Sequence, residues 1–222
     1  MNAVSDLALV LTGGGARASY QVGVLQEIAA RIPDLPVPII TGVSAGAINA
    51  SYLAGHCGSF KEATDGLRAQ WGRLRSENIY NLRTLHLLRS AARWMERIAL
   101  ARSDGAPGVR GLLHTEPLRQ FLAECIDFPG IEKNIAAGRL RAVALSASSY
   151  TTGDICTFVD GAPGVELWER AGRIAVRTRL RIDHVMASSA IPLVFPAVEV
   201  DGTFYADGSV RQTFPLSPAI HL

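Results

Sequence analysis

Lysine is almost missing from this chain: of its 22 basic residues only Lys61 and Lys133 are lysines, the rest arginines. Twenty acidic residues nearly balance them, for a formal net charge of +2. The net charge is unremarkable although the arginines cluster, and no nucleic-acid motif accompanies them, so a nucleic-acid partner is not expected. Cysteine is scarce and odd in number. Cys57, Cys125 and Cys156 lie far apart, which excludes a disulfide framework and points to reduced thiols in a cytoplasmic setting. No residues show metal-ligand spacing, so neither metal nor cofactor is expected. No apolar run approaches the roughly 20 residues that span a bilayer. The first residues lack a basic segment followed by an apolar one, so no signal peptide is expected.

What is present suits one large core. A chain of 222 residues with 48% hydrophobic content is expected to form a single domain over residues 1–222. Short apolar strands at Leu7–Leu11, Val37–Thr41 and Leu140–Ser146 alternate with helical runs such as Tyr20–Arg31 and Ala47–Leu53. Ile155–Asp160 returns through a turn at Thr152-Gly153-Asp154, and Asp201-Gly202 is a turn between Val198–Val200 and Phe204–Ala206. The alternation implies an α/β fold in three layers: a mostly parallel central sheet covered on both faces, with functional groups at the strands' C-terminal edge. There is no internal repeat. The break at residues 103–108 reads as a loop inside the domain.

Gly42-Val43-Ser44-Ala45-Gly46 joins a strand to a helix. A serine on so tight a turn is strained and exposed, and the glycines Gly42 and Gly46 let the neighbouring elements pass close, as in a nucleophile elbow. A turn with a serine helix cap is the plainer alternative. Upstream, Leu7–Leu11 runs into Thr12-Gly13-Gly14-Gly15-Ala16-Arg17. Backbone amides in such a loop, at the mouth of the next helix, form an anion cradle of the kind an acyl-transfer enzyme aims at its oxyanion. Gly13, Gly14 and Gly15 are the candidate donors, Gly14 and Gly15 foremost, with Arg17 holding the loop or adding positive potential. The same loop also reads as a dinucleotide fingerprint, Gly13, Gly15 and Ala18. That reading wants an acid at the end of the second strand, whereas Asp34 precedes the strand.

Four motifs in order now carry a family resemblance: Gly13-Gly14-Gly15-Ala16-Arg17, Gly42 to Gly46, Ala187-Ser188-Ser189-Ala190-Ile191-Pro192 and Asp207-Gly208. From about Leu7 to the last residue the chain resembles patatin-like phospholipases. Leu113 to Arg119, with Thr115 placed to cap the following helix, also looks like the family's mid-domain segment. The resemblance implies a Ser-Asp dyad in which Asp207 takes the proton of Ser44. Of the histidines, His184 is the candidate for a Ser-His-acid triad instead. An aspartate in water is a weak base for a hydroxyl, so Phe204, Tyr205 and Ala206, with Val194 and Phe195, are expected to wall Asp207 from solvent. Ser209, where the family mostly has glycine or alanine, is a departure from the pattern. Ala18, where many members have glycine, is another.

Leu85 to Arg102 reads as a basic amphipathic helix, with Arg89, Arg93 and Arg97 beside an apolar stripe of Leu88, Ala91, Met95 and Ile98, and Trp94 adjacent. It serves as a cover helix or as an element for peripheral membrane contact. The chain stops soon after Asp207, where patatin-like domains usually continue, so elements are expected to be missing. Exposed apolar surface with marginal stability, or a homodimer, should follow. The expected function is serine-dependent hydrolysis of lipid acyl esters. A catalytically weak lipid-binding or regulatory protein is the alternative, and a dinucleotide-binding oxidoreductase a third.

Overall fold

A computed structural model describes residues 7–79 and 113–222. The expected basic helix with Arg89, Arg93, Arg97 and Trp94, the loop at 103–108 and His86 all lie outside the described residues. The strands are β1 Ala8–Leu11, β2 Ile39–Val43, β3 Ala142–Ser149, β4 Ile155–Gly161, β5 Glu169–Arg170, β6 Arg173–Arg177, β7 Val198–Val200 and β8 Thr203–Asp207. They form one sheet of order β1-β2-β3-β4-β6-β5, with β8 beside β3 and β7 beside β8. β1, β2 and β3 are parallel in one half and β4 and β6 in the other, and antiparallel pairing of β3 with β4 joins the halves. The expected α/β fold is therefore the fold that forms.

Helices α1 Ser19–Arg31, α2 Ala45–Gly55, α3 Phe60–Arg73, α4 Ser76–Ile79, α5 Glu116–Cys125, α6 Phe128–Ala136, α7 Ile182–Ser188 and α8 Leu216–His221 complete the described elements. Successive side chains of β3 alternate between faces, as a strand requires. Val143, Leu145 and Ala147 join Val22, Leu25, Ala50, Leu67, Leu122, Ile131 and Val185 of the helices in the larger core. Ala142 and Ala144 face the smaller cluster with Ile39, Val159, Trp168 and Leu222. That second face is covered by residues 162–168 and the short α8, anchored where the Thr41 hydroxyl donates to the Pro215 carbonyl at 3.0 Å. Phe214, Leu216 and Ile220 of this terminal segment are exposed.

Two local expectations are corrected. β2 begins at Ile39 instead of Val37, because Pro38 has no N–H for the ladder and offers only its carbonyl, which accepts from Arg141 and Ala142. Thr115 stands at the N-cap of α5, but its side chain caps no amide.

Candidate active site

β3 is the template on which the site is assembled. Val43, the last residue of β2, pairs with Ser146 of β3. The chain then turns away at Ser44, and β8 occupies the vacated side of β3 from the opposite direction, with Asp207 opposite Ala147. Two strand ends thus meet head to head, bringing together Ser44 and Asp207, 163 residues apart in sequence. The Ser44 hydroxyl donates to Asp207 Oδ2 at 2.6 Å, and both side chains are buried.

The elbow is strained and tightly packed. Ser44 adopts φ 56° and ψ −130°, a left-handed backbone that costs a non-glycine residue roughly 1–3 kcal/mol and persists only where its surroundings enforce it. A Cβ on Gly42 would lie 2.6 Å from the Gly46 carbonyl and 2.8 Å from Ala47 Cα, and one on Gly46 would run into the carbonyls of Leu11 and Thr12. These glycines let β2, α2 and the end of β1 converge.

Serine hydroxyls surround the pair. The Ser44 amide donates to Ser188 Oγ at 3.0 Å, Ser188 Oγ donates to the Ser146 carbonyl at 2.7 Å, and Ser189 Oγ donates to the Ser44 carbonyl at 3.1 Å. The second oxygen of Asp207, Oδ1, accepts from the Ser209 amide at 2.8 Å and the Ser209 hydroxyl at 2.7 Å. The departure from the family pattern therefore adds a donor to the carboxylate. Oδ2 is left to Ser44.

The glycine loop lies against both residues. A Cβ on Gly13 would stand 3.2 Å from Ser44 Cβ and 3.1 Å from Ser209 Cβ. Gly15 has φ 56° and opens a 3₁₀ turn, Gly15–Ala18, ahead of α1. The amides of Gly13, Gly14 and Gly15 donate to no protein acceptor among the described residues, so they are available to an anion. Ala45, first residue of α2, offers another amide next to the nucleophile, which sequence reasoning overlooked. The Arg17 side chain is exposed and makes no hydrogen bond or ion pair among the described residues. It therefore does not brace the loop.

Bracing comes from residues with no sequence signature. Trp71 Nε1 donates to Asn49 Oδ1 at 2.8 Å, Asn49 Nδ2 to Gln21 Oε1 at 3.1 Å, and Gln21 Nε2 to the Thr12 carbonyl at 2.8 Å. The chain of bonds links α3, α2 and α1 to the residue that opens the glycine loop. Asn49, at the middle of the chain, is fully buried, and the three bonds themselves are part-buried.

Other expectations are not met. Phe204 is 42% exposed and does not wall Asp207, because alternation along β8 sends it to the other side from Tyr205 and Asp207. His184 is fully buried in α7, its Nδ1 accepting from the Arg181 amide and its ring edge-on to Phe158, so it is not the base of Ser44. His56 Nδ1 accepts from the Gly58 amide, and His221 stacks on Trp168. Burial pushes the Cys156 thiol up to about 11, which keeps it protonated and unreactive. Asp34 lines a 590 Å³ cleft with Pro36, Pro38 and Leu140, at the strands' N-terminal edge, away from the glycine loop, where a ribose would need it. No described helix is long and apolar enough to cross a membrane.

Comparison with known proteins agrees with this architecture. A search of curated proteins finds no match. Among solved structures, the crystal structure of VipD from Legionella pneumophila is similar in fold, with a TM-score of 0.51 and 14% identity. The likeness covers 92% of this chain and 46% of that one, so the chain spans just under half of VipD. The sequence pattern of the family described as patatin-like phospholipase matches residues 9–220, from β1 through the glycine loop, elbow and Asp207 to α8. The chain belongs to the patatin-like phospholipase family.

Proposed function

We propose that this protein is a serine-dependent lipid acyl hydrolase, of phospholipase or lysophospholipase type, working through a Ser44–Asp207 dyad within one catalytic domain. Family membership supports the general class, and the 2.6 Å bond from the Ser44 hydroxyl to Asp207 Oδ2 carries the dyad. Asp207 takes the Ser44 proton as Oγ attacks the ester carbonyl carbon. The amides of Gly14 and Gly15 meet the oxyanion of the tetrahedral intermediate, where one well-placed donor is worth roughly 2.7–4 kcal/mol. The intermediate collapses to acyl-Ser44 and the alcohol leaves with the proton from Asp207. Asp207 then deprotonates water, which attacks the acyl group, and the fatty acid is released as Asp207 returns the proton to Ser44 Oγ. The same reading places the protein in the cytoplasm, in peripheral contact with a membrane.

Labelling with a fluorophosphonate probe, beside a panel of lipid and acyl esters of graded chain length, tests the reading. Ser44 is the expected site of modification, and Ser44→Ala should abolish labelling and lower turnover by about 10³-fold or more. A folded wild-type protein that neither labels nor hydrolyses any ester refutes the proposal and leaves lipid binding without catalysis.

A further inference from the structure

The segment Ser188-Ser189-Ala190 holds both Ser44 and Asp207 by their backbone groups. Ser188 Oγ accepts the Ser44 N–H, Ser189 Oγ donates to the Ser44 C=O, and the Ala190 carbonyl accepts the Asp207 N–H at 2.8 Å. Three consecutive residues at the end of α7 therefore hold the nucleophile's amide, the nucleophile's carbonyl and the base's amide. The hydroxyl of Ser188 has a fixed direction, since its single proton is committed to the Ser146 carbonyl. Ser146 is the β3 residue opposite Val43 and next to Ala147, the partner of Asp207. The nucleophile is thus referenced to the same strand that fixes the base.

We infer that Ser188 and Ser189 are positioning residues, a two-hydroxyl clamp that enforces the strained backbone of Ser44 and aims its Oγ at Asp207 Oδ2. This role rests on the proposed hydrolase reading for its catalytic consequence, and on geometry alone for its structural one. At φ 56° the Ser44 backbone gains by relaxing toward negative φ. Relaxation swings Oγ off the line to Asp207. Ser188 is fully buried and Ser189 nearly so, so water does not replace a deleted hydroxyl. Losing Ser188 also leaves the Ser44 amide and the Ser146 carbonyl without that partner. Losing Ser189 is milder, because the Ser44 carbonyl keeps the Ala47 amide at 2.8 Å.

Turnover of Ser188→Ala, Ser189→Ala and Ser189→Thr is to be measured per fluorophosphonate-titrated site, with hydrogen exchange of the peptide spanning residues 39–47 and thermal unfolding followed in parallel. In Ser188→Ala, kcat should fall about tenfold or more with KM within about twofold, and the elbow amides should exchange faster. Ser189→Ala should lose about twofold to fivefold in kcat, and Ser189→Thr should restore it. A folded Ser188→Ala protein with wild-type kcat and unchanged elbow exchange overturns the clamp. If Ser188→Ala does not fold, Ser189→Ala decides by the same two readouts, and wild-type values for both overturn it. If the wild type hydrolyses nothing, the hydrolase reading fails, while elbow exchange in the variants still decides the clamp.

Discussion

Acid should weaken this fold through one buried imidazole. His184 is fully buried, and its Nε2 is the sole buried side-chain nitrogen or oxygen without a hydrogen-bond partner among the described residues. Burial, with the nearby Arg181 guanidinium, lowers its pKa from 6.5 to about 4, against the smaller opposing influence of Asp201, the Arg181 amide and Asp183. The unfolded chain therefore binds a proton at a pH where the folded chain does not. His184 costs nothing above pH 6.5, and stability is lost as pH falls from 6.5 toward 4. Linkage puts that loss at about 2 kcal/mol at pH 5 and about 3 kcal/mol below pH 4. For a chain of this size, 2 kcal/mol corresponds to a drop of about 4–8 °C in Tm.

Other groups titrate in the same range, so the test is a difference. Urea unfolding of wild type and His184→Leu at pH 7.5 and pH 5.0 cancels Asp183, held below the usual carboxylate range by Arg119 and Arg181, and Asp160, pushed up by burial. The variant loses the acceptor of the Arg181 amide at both pH values, so that cost cancels too. The wild type should lose about 2 kcal/mol more than the variant on acidification. Equal losses would show that His184 takes up its proton in the folded state at its ordinary pKa, and the argument from burial would fail.

Two further outcomes follow from the site. Trp71→Phe should destabilise the fold by about 1–3 kcal/mol, by leaving buried Asn49 Oδ1 unpaired, and should lower kcat through a loosened glycine loop; unchanged unfolding and turnover would dismiss the bracing chain. Asp207→Glu retains the carboxylate but lengthens it across a 2.6 Å gap, and should cost about 10²-fold in kcat; turnover within a few-fold of wild type would mean that the base is not limited by position.

The elbow was legible because its signal is local. Gly42 and Gly46 flank Ser44 within five residues of sequence, and the strand and helix on either side are set by nearby residues. Asp207 carried no local signal beyond a turn-like Asp-Gly and was found through the resemblance. Ser188, Ser189 and Asn49 were opaque in their roles, since each acts through bonds between residues at least 22 positions apart. β5 and β6 were missed for another reason. In Arg173–Arg177 only Ala175 is buried, so the usual alternation of apolar and polar residues is nearly absent.

The head-to-head meeting of β2 and β8 also explains why an imidazole has no place between nucleophile and acid. A Ser-His-acid relay needs a gap wide enough for a ring, with the histidine on a third element. Here adjacent residues of β3, Ser146 and Ala147, bring Val43 and Asp207 onto the same side of one strand, and short side chains on the converging ends touch directly. On the side of the glycine loop the packing is close, since a methyl group on Gly13 would press on Ser44 and Ser209. The proposed two-residue site thus follows from the sheet's register. The register also leaves the acid on a strand end, where Ser209 and Ala190 fix its carboxylate and its amide, so the pair is oriented without a third side chain between them.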